Sequence, residues 1–378
     1  MIHNLLDISD LSCEELNYII DIASMPVSSL PRLLEGRGVA MIFEKPSLRT
    51  RNSTELAVAA LGGHPVYIQS EEVGIGVRET PEDVARVLAS YHAAICARVI
   101  RHETLRSMVT AIESQQESYE WATGIPVINL LSDLAHPSQA IADILTIQAE
   151  LGNPEGKIIT YIGDPNNVFR SLMEVCAMKG MLLRCACPDT YMPSENDISL
   201  INSLGADLEV FNDPLRAVVG SDIIYTDTWV SMGDEVEADI RREAFRGFTV
   251  NDELVAASGQ DPVVMHCLPA HRGEEITNSV LYGKYSAVWL QAANRLPAIA
   301  AVLVWALGGK AAIDRALPGM ASTDEVSTNM ASTDEVSTNM ASTDEVSTNM
   351  ASTDEVLTDN TSTTEVKDSG SMSMGVDQ

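Results

Sequence analysis

From Val39 to Cys267 the chain alternates between short apolar runs and longer stretches where apolar residues return every three or four positions. The runs are "VAMIF" (39–43), "PVYI" (65–68), "AICARV" (94–99), "PVINL" (126–130), "KIITYI" (157–162), "LLRCAC" (182–187), "DLEVF" (207–211), "DIIYTD" (222–227) and "PVVMHC" (262–267). Runs this short and this uniformly apolar predict strands buried on both faces. The segments between them predict amphipathic helices; "TPEDVARVLASY" has Thr80 as cap and Pro81 at the first helical position. Strands separated by helices imply an α/β fold with parallel sheets covered on both faces.

The count divides into two doubly wound sheets, one ending at Leu130 and one beginning at Lys157, with a helix from about His136 to Leu151 between them. This predicts domains over residues 1–147 and 148–290, and a helical return over 291–318 packing on the first domain. The longest apolar stretch, "AIAAVLVWAL" (298–307), falls in that return and is too short to span a bilayer.

From Met320 the pattern changes. "MASTDEVSTN" recurs three times in register and then degenerates to the end of the chain. A ten-residue unit whose large apolar residues are one Val and one Met cannot offset chain entropy by burial. Residues 319–378 are therefore expected to form a disordered, solvated tail, and a solenoid would need larger units and more apolar positions.

Charge sharpens this division. The net charge is −30, and 12 of the 54 acids lie in 319–378 against one Lys, leaving 42 acids and 23 bases before it. So acidic a chain repels nucleic acid and anionic membrane. The amino terminus carries acids where a secretory signal needs bases and a long apolar core, so a cytoplasmic location is expected. Six scattered cysteines show neither disulfide nor zinc spacing, and Cys185 and Cys187 read as buried strand residues.

Against this background, polar clusters at strand ends stand out. In open parallel sheets ligands bind outside the carboxyl ends of the strands. "SLRTR" (47–51) follows the first run, Arg98 ends the third, "GDPNN" (163–167) follows the fifth, Asp227 and "SMG" (231–233) follow the eighth, and "HCLP" (266–269) ends the ninth. Ser47 can cap a helix whose first turn holds Arg49, Thr50 and Arg51, so backbone N–H groups, hydroxyls and a guanidinium suit a phosphate. A Ser-capped surface helix with solvated arginines is the ordinary alternative. His136 and Gln139, with Pro137 between them, share a helix face and can meet one small ligand. "GDPNN" lacks the further glycines of a dinucleotide turn, which argues against NAD. Asp227 can cap the next helix or meet a ligand. Cys267, flanked by His266, His271 and Arg272, can be a buried thiol, a nucleophile or a ligand contact, and its spacing argues against a metal.

Together these motifs resemble the aspartate/ornithine carbamoyltransferases across nearly all of residues 1–318. "FEKPSLRTR" is similar to the family's carbamoyl-phosphate signature, "HPSQ" to its His-Pro-x-Gln element, and "DTWVSMG" with "HCLPAHRGEE" to the pair found in its ornithine-specific members. The resemblance implies a cleft between the two domains as active site. It implies that Ser47, Leu48, Arg49 and Thr50 hold phosphate, with Arg98, His136, Gln139 and Arg295 completing the carbamoyl-phosphate site. Asn167, Asp227, Ser231 and Met232 would hold the amino-acid end of L-ornithine, with Cys267 and Leu268 between the substrates. Thr50, Arg98, His136 and Cys267 would assist the chemistry, Cys267 as a proton acceptor if its pKa is shifted.

An amine of pKa near ~10.4 is mostly protonated at pH 7, so the site must favour its neutral form. Attack on the carbamoyl carbon then yields a tetrahedral oxyanion for His136, Thr50 and Arg98 to stabilise. The resemblance implies no metal or organic cofactor, and a homotrimer. Two residues depart from the family pattern: Leu48 replaces the usual Thr, and Gly74 stands where a neighbouring subunit usually offers His or Gln. Putrescine or an acylated ornithine remains an alternative acceptor, and a non-catalytic binding or regulatory protein an alternative role.

Overall fold

The structure, a computed structural model, describes residues 3–119, 124–230 and 235–308. Ser231, Met232 and the 319–378 repeats lie outside the described residues.

The apolar runs form nine strands: β1 (Gly38–Phe43), β2 (His64–Gln69), β3 (His92–Arg98), β4 (Val127–Leu131), β5 (Ile158–Ile162), β6 (Leu182–Ala186), β7 (Leu208–Phe211), β8 (Ile223–Thr226) and β9 (Val263–His266). They pair into two parallel sheets, ordered β2-β1-β3-β4 and β7-β6-β5-β8-β9. Both orders reverse about their first strand. From β1 the chain steps to β2 on one side and then to β3 on the other; from β5 it steps to β6 and β7, then to β8 and β9. The switch points therefore lie at the ends of β1 and β3 in one sheet and of β5 and β8 in the other, where open α/β sheets leave a crevice.

The inner strands of each sheet bury both faces, which is why they read as continuous apolar runs, while the edge strands β2 and β7 are only half-buried. One apolar cluster runs through the molecule, joining Met41 and Cys96 of the first sheet to Tyr161 and Tyr225 of the second through Ile141, Ile144 and Phe169. Smaller clusters cover the outer faces, around Ile95 and Leu105 in the first half and Phe245 and Val264 in the second.

Two helices tie the halves together. Pro137–Leu151 has Pro137 at its first position and is buried over its first 11 residues. Arg295–Ala306 packs against the helices Cys13–Ala23, Leu48–Ala60 and Pro137–Leu151, so the chain returns to its first half. The apolar helical stretch is longer than the sequence suggests: Val288–Ala306 is long and apolar enough to cross a membrane, yet Ala298–Ala306 is buried in the core. The polar residues embedded there, Gln291 and Arg295, have partners across the core that a run of hydropathy does not reveal.

Candidate active site

β1 ends at Phe43, and four residues later Ser47 caps the helix Leu48–Ala60 by accepting from the Thr50 backbone N–H at 3.4 Å. No acid occupies that first turn, so its N–H groups and positive dipole end face outward uncompensated. Leu48 points to solvent, 76% exposed, while Thr50 is buried and its Oγ1 accepts from Arg295 Nη2 at 3.2 Å. Arg51 is turned away: it pairs with Glu55 at 2.8 Å and lies 3.6 Å over the Tyr67 ring. Of the two arginines in the motif, only Arg49 reaches the cleft.

Arg49, Arg98 and Arg295 converge. Arg98 closes β3 at 4% exposure and Arg295 opens the last helix at 2%. Burial, followed for Arg98 by the nearby Arg295 and Arg49, lowers both to about 10. They stay charged at neutral pH, at a cost. Arg295 Nη1 donates to Gln139 Oε1 at 2.5 Å, and Arg49 Nη2 donates to the Leu268 carbonyl. Those acceptors are neutral, and the buried Nε atoms of Arg98 and Arg295 have no hydrogen-bond partner among the described residues. Protein carboxylates act on only part of this group, Asp143 on Arg295 and Asp227 on Arg49, so positive charge is left for an anion to offset.

His136 caps the helix Pro137–Leu151 beside these cations. Burial, then Arg295, Arg98 and Arg49, hold its pKa well below the usual value. The imidazole is neutral at pH 7 and can offer an N–H to a carbonyl oxygen without adding charge.

The second sheet supplies the opposite end. Gly163, at φ 135°, turns the chain out of β5 in a conformation that a side chain resists. Asn166 then caps the helix Asn167–Met178 and donates Nδ2 to Asp227 Oδ2 at 3.0 Å. Asn167 Nδ2 donates to the Ser132 carbonyl at 2.5 Å, at the end of the first sheet. Asp227 caps no helix. It sits just past β8 at 4% exposure and accepts from Cys267 Sγ at 2.9 Å.

Cys267 departs from the sequence expectation in its protonation. Burial first, and then the Asp227 carboxylate, push its thiol well above the ordinary value, so it is a donor and not a proton acceptor. The next residue, Leu268, has φ 61°, and its N–H donates to His266 Nδ1 at 2.8 Å. That bond leaves the His266 Nε2–H to face Glu275 Oε1 at 3.0 Å, both side chains being fully buried. His271 and Arg272 turn outward, to Thr228 at 3.1 Å and to the Tyr282 hydroxyl at 2.9 Å.

Asp227, His266 and Cys267 bring possible metal-ligand atoms within 4.8 Å, but the bonds just described already occupy both His266 nitrogens and the thiol. His271, Glu274 and Glu275 form a second such group, with Glu275 Oε1 engaged by His266 and by the His271 N–H. A cavity of about 590 Å³ lined by Asn4, Val109, Ile112 and Leu307 lies apart and contains none of the motif residues.

The structure thus gathers Arg49, Thr50, Gln139, Arg295, Asp227, Cys267 and Leu268 through the contacts above, and Arg98 and His136 beside them through the charge they exchange with Arg49 and Arg295. Sequence reasoning missed Asp143, Tyr225 and Gln291, which support this group from behind. A signal for Asp143 was present: Gln139 and Asp143 stand four apart on one face of a helix that carries Ile141, Ile144, Leu145 and Ile147 around them.

Residues 3–149 match the carbamoyl-P binding domain of the aspartate/ornithine carbamoyltransferases, and residues 155–306 match that family's Asp/Orn binding domain. The anabolic ornithine carbamoyltransferase of Pyrococcus furiosus is 43% identical over 315 residues, covering 81% of this chain and 96% of that protein. A solved structure of ornithine carbamoyltransferase from Pyrococcus furiosus superposes with a TM-score of 0.74 at 43% identity, over 81% of this chain and 97% of its own. A solved N-acetyl-L-ornithine transcarbamylase mutant superposes with a TM-score of 0.67 at 27% identity, over 81% and 99%.

Proposed function

Since the chain belongs to the aspartate/ornithine carbamoyltransferase family, we propose that it transfers the carbamoyl group of carbamoyl phosphate to the side-chain amine of L-ornithine, giving L-citrulline and phosphate. It is an ornithine carbamoyltransferase, and the anabolic designation of its Pyrococcus furiosus relative supports a role in arginine biosynthesis. The observation that carries the reading is one crevice with three converging guanidiniums at one end and the Asp227 carboxylate at the other.

In this reading the phosphate dianion lies on the N-terminus of the Leu48–Ala60 helix, taken by the Ser47 hydroxyl, the Leu48 and Arg49 N–H groups, Thr50 and the guanidiniums of Arg49, Arg98 and Arg295. Arg49 exchanges the Leu268 carbonyl for phosphate as the substrate enters. Neutral His136 donates to the carbamoyl oxygen, with Gln139 holding Arg295 beside it. Asp227 meets the α-ammonium of ornithine, with Asn167, Ser231 and Met232 completing its recognition, while Cys267 and Leu268 separate the two substrates.

The side-chain amine reacts as the free base. Its lone pair forms the new C–N bond, the oxyanion collapses, the bond from the carbamoyl carbon to the bridging oxygen breaks, and phosphate leaves with that electron pair and takes up the proton that nitrogen sheds. Preorganised positive charge lowers the barrier because charge builds up on the carbamoyl oxygen and the departing phosphate. No step requires a metal or an organic cofactor. Residues 1–147 are the carbamoyl-phosphate half, 148–290 the ornithine half and 291–318 the return segment, of which 309–318 lie outside the described residues, in a cytoplasmic homotrimer.

An acylated ornithine would bring no cationic α-amino group to Asp227, and putrescine would bring neither α-group, so both leave a buried carboxylate poorly matched. Initial rates with ornithine, putrescine and N-acetylornithine, each with carbamoyl phosphate, test this. Ornithine is expected to give a kcat/KM at least ~100-fold above either rival, the scale set by a buried polar group left unpaired. A preference for putrescine, or ligand binding with no citrulline, overturns it.

A further inference from the structure

Asp143 lies in the middle of the Pro137–Leu151 helix, fully buried, and contacts none of the residues assigned to ornithine. Its Oδ1 accepts from Gln139 Nε2 at 2.7 Å and from Gln291 Nε2 at 2.8 Å, and its Oδ2 accepts from the Tyr225 hydroxyl at 3.0 Å. A carboxylate only accepts, so each glutamine must present its NH2 end to Asp143 and its oxygen away from it. The two oxygens then meet two donors of the site. Gln139 Oε1 receives Arg295 Nη1 at 2.5 Å, and Gln291 Oε1 receives the His266 backbone N–H at 2.8 Å. With either amide reversed, NH2 would face guanidinium or peptide N–H, donor against donor.

We propose that Asp143 is a positioning residue for carbamoyl transfer: by fixing the orientation of Gln139 and Gln291, it aims Arg295 at the phosphate and sets the strand end that carries Cys267 and Leu268. The inference rests on the reading of Arg295 as a phosphate ligand. It assigns one buried charge to both sides of the crevice, since Gln139 belongs to the first half, Tyr225 belongs to the second, and Gln291, at the start of the return segment, holds the His266 N–H of β9.

The charge itself makes the role testable. Burial raises Asp143 to about 6, so it is ionised at pH 8 and protonates in mild acid. The titratable groups facing it are Arg295, Tyr225, Cys176 and Cys267. Arg295, at about 10, stays charged in this range, and burial holds the phenol and both thiols protonated. His136, beside the same arginines, stays neutral. A protonated Asp143 would turn a hydroxyl toward a neighbour and release an amide.

Asp143→Asn separates orientation from charge. Removing a negative charge near three arginines strengthens anion binding if charge alone matters, whereas loss of amide orientation weakens it. Binding of sulfate and of inorganic phosphate is measured by calorimetry at pH 8, alongside the KM for carbamoyl phosphate, kcat and the melting temperature. The expected result is about tenfold weaker anion binding and a correspondingly raised KM, on the scale of one hydrogen bond to a charged group, without a matching loss of melting temperature. In a cycle with Gln139→Met, the double variant is expected to bind no more weakly than Gln139→Met alone.

Wild-type sulfate binding, whose ligand charge is constant, is expected to weaken below about pH 6, a limb independent of whether the Asn variant folds. Unchanged or tighter anion binding in Asp143→Asn, additive effects in the cycle, or a flat wild-type sulfate profile overturns the proposal. Anion binding that follows these expectations in a protein making no citrulline would sink the functional reading and leave the positioning role standing.

Discussion

At Cys267 the residue type and the environment point in different directions. A cysteine beside histidines at a strand end invites a thiolate, yet the closest charged group is the Asp227 carboxylate, which repels a second negative charge and accepts the S–H. With the pKa raised, the thiol form persists through neutral and mildly alkaline pH. A kcat–pH profile is therefore expected to show no limb from Cys267 below pH 9. Cys267→Ser, which keeps a donor to Asp227, is expected to retain kcat within about tenfold, and Cys267→Ala to lose more by leaving a buried acceptor without its donor. An alkaline limb below pH 9 that vanishes in the serine variant would restore the thiolate reading. The same environment logic separates Arg49 from Arg51: two residues apart on a helix, they face different directions, and only one meets the cleft.

Among the elements, the Ser47-capped helix does two jobs that can be measured apart. Ser47→Ala is expected to cost about 1 kcal/mol in urea unfolding through the lost cap, and Ser47→Gly only a few tenths. Both remove the hydroxyl, so both should raise the KM for carbamoyl phosphate to a similar extent. A KM that tracked stability instead would mean that the hydroxyl serves only the helix. At this scale the sequence was largely legible. All nine strands were evident because buried parallel strands are short, apolar throughout and closed by turn residues. Boundaries differed by one or two residues, as at β3, which begins at His92. The apolar stretch Val288–Ala306 was harder: Gln291 and Arg295 interrupt its pattern, and only their partners Asp143, Gln139 and Thr50 explain why they are buried.

For the molecule as a whole, charge sets a further expectation. The described site residues lie between Ser47 and Arg295, and the last described helix ends at Ala306. Removing residues 320–378 discards 12 acids and one Lys, changing the net charge from −30 to −19. Citrulline formation is expected to keep its kcat, with a KM for carbamoyl phosphate at low ionic strength that is unchanged or lower, because a less negative protein repels an anion less. Lost turnover in the truncated chain would show that the repeats contribute to catalysis.

The sequence alone determined the α/β class, the two parallel sheets and the strand ends at which polar residues collect, since these follow from local periodicity and from the rule that crevices open at switch points. It also carried the family, through motifs that are contiguous in the chain. Only the tertiary structure decided that Arg49 and not Arg51 enters the cleft, that Cys267 is a donor, and that Asp143 accepts from two glutamines distant in the chain. Protonation and amide orientation depend on the charges and hydrogen bonds around a group, and here those neighbours come from distant segments: Gln139 and Arg295 are 156 residues apart in the chain, and Thr50 and Arg295 are 245.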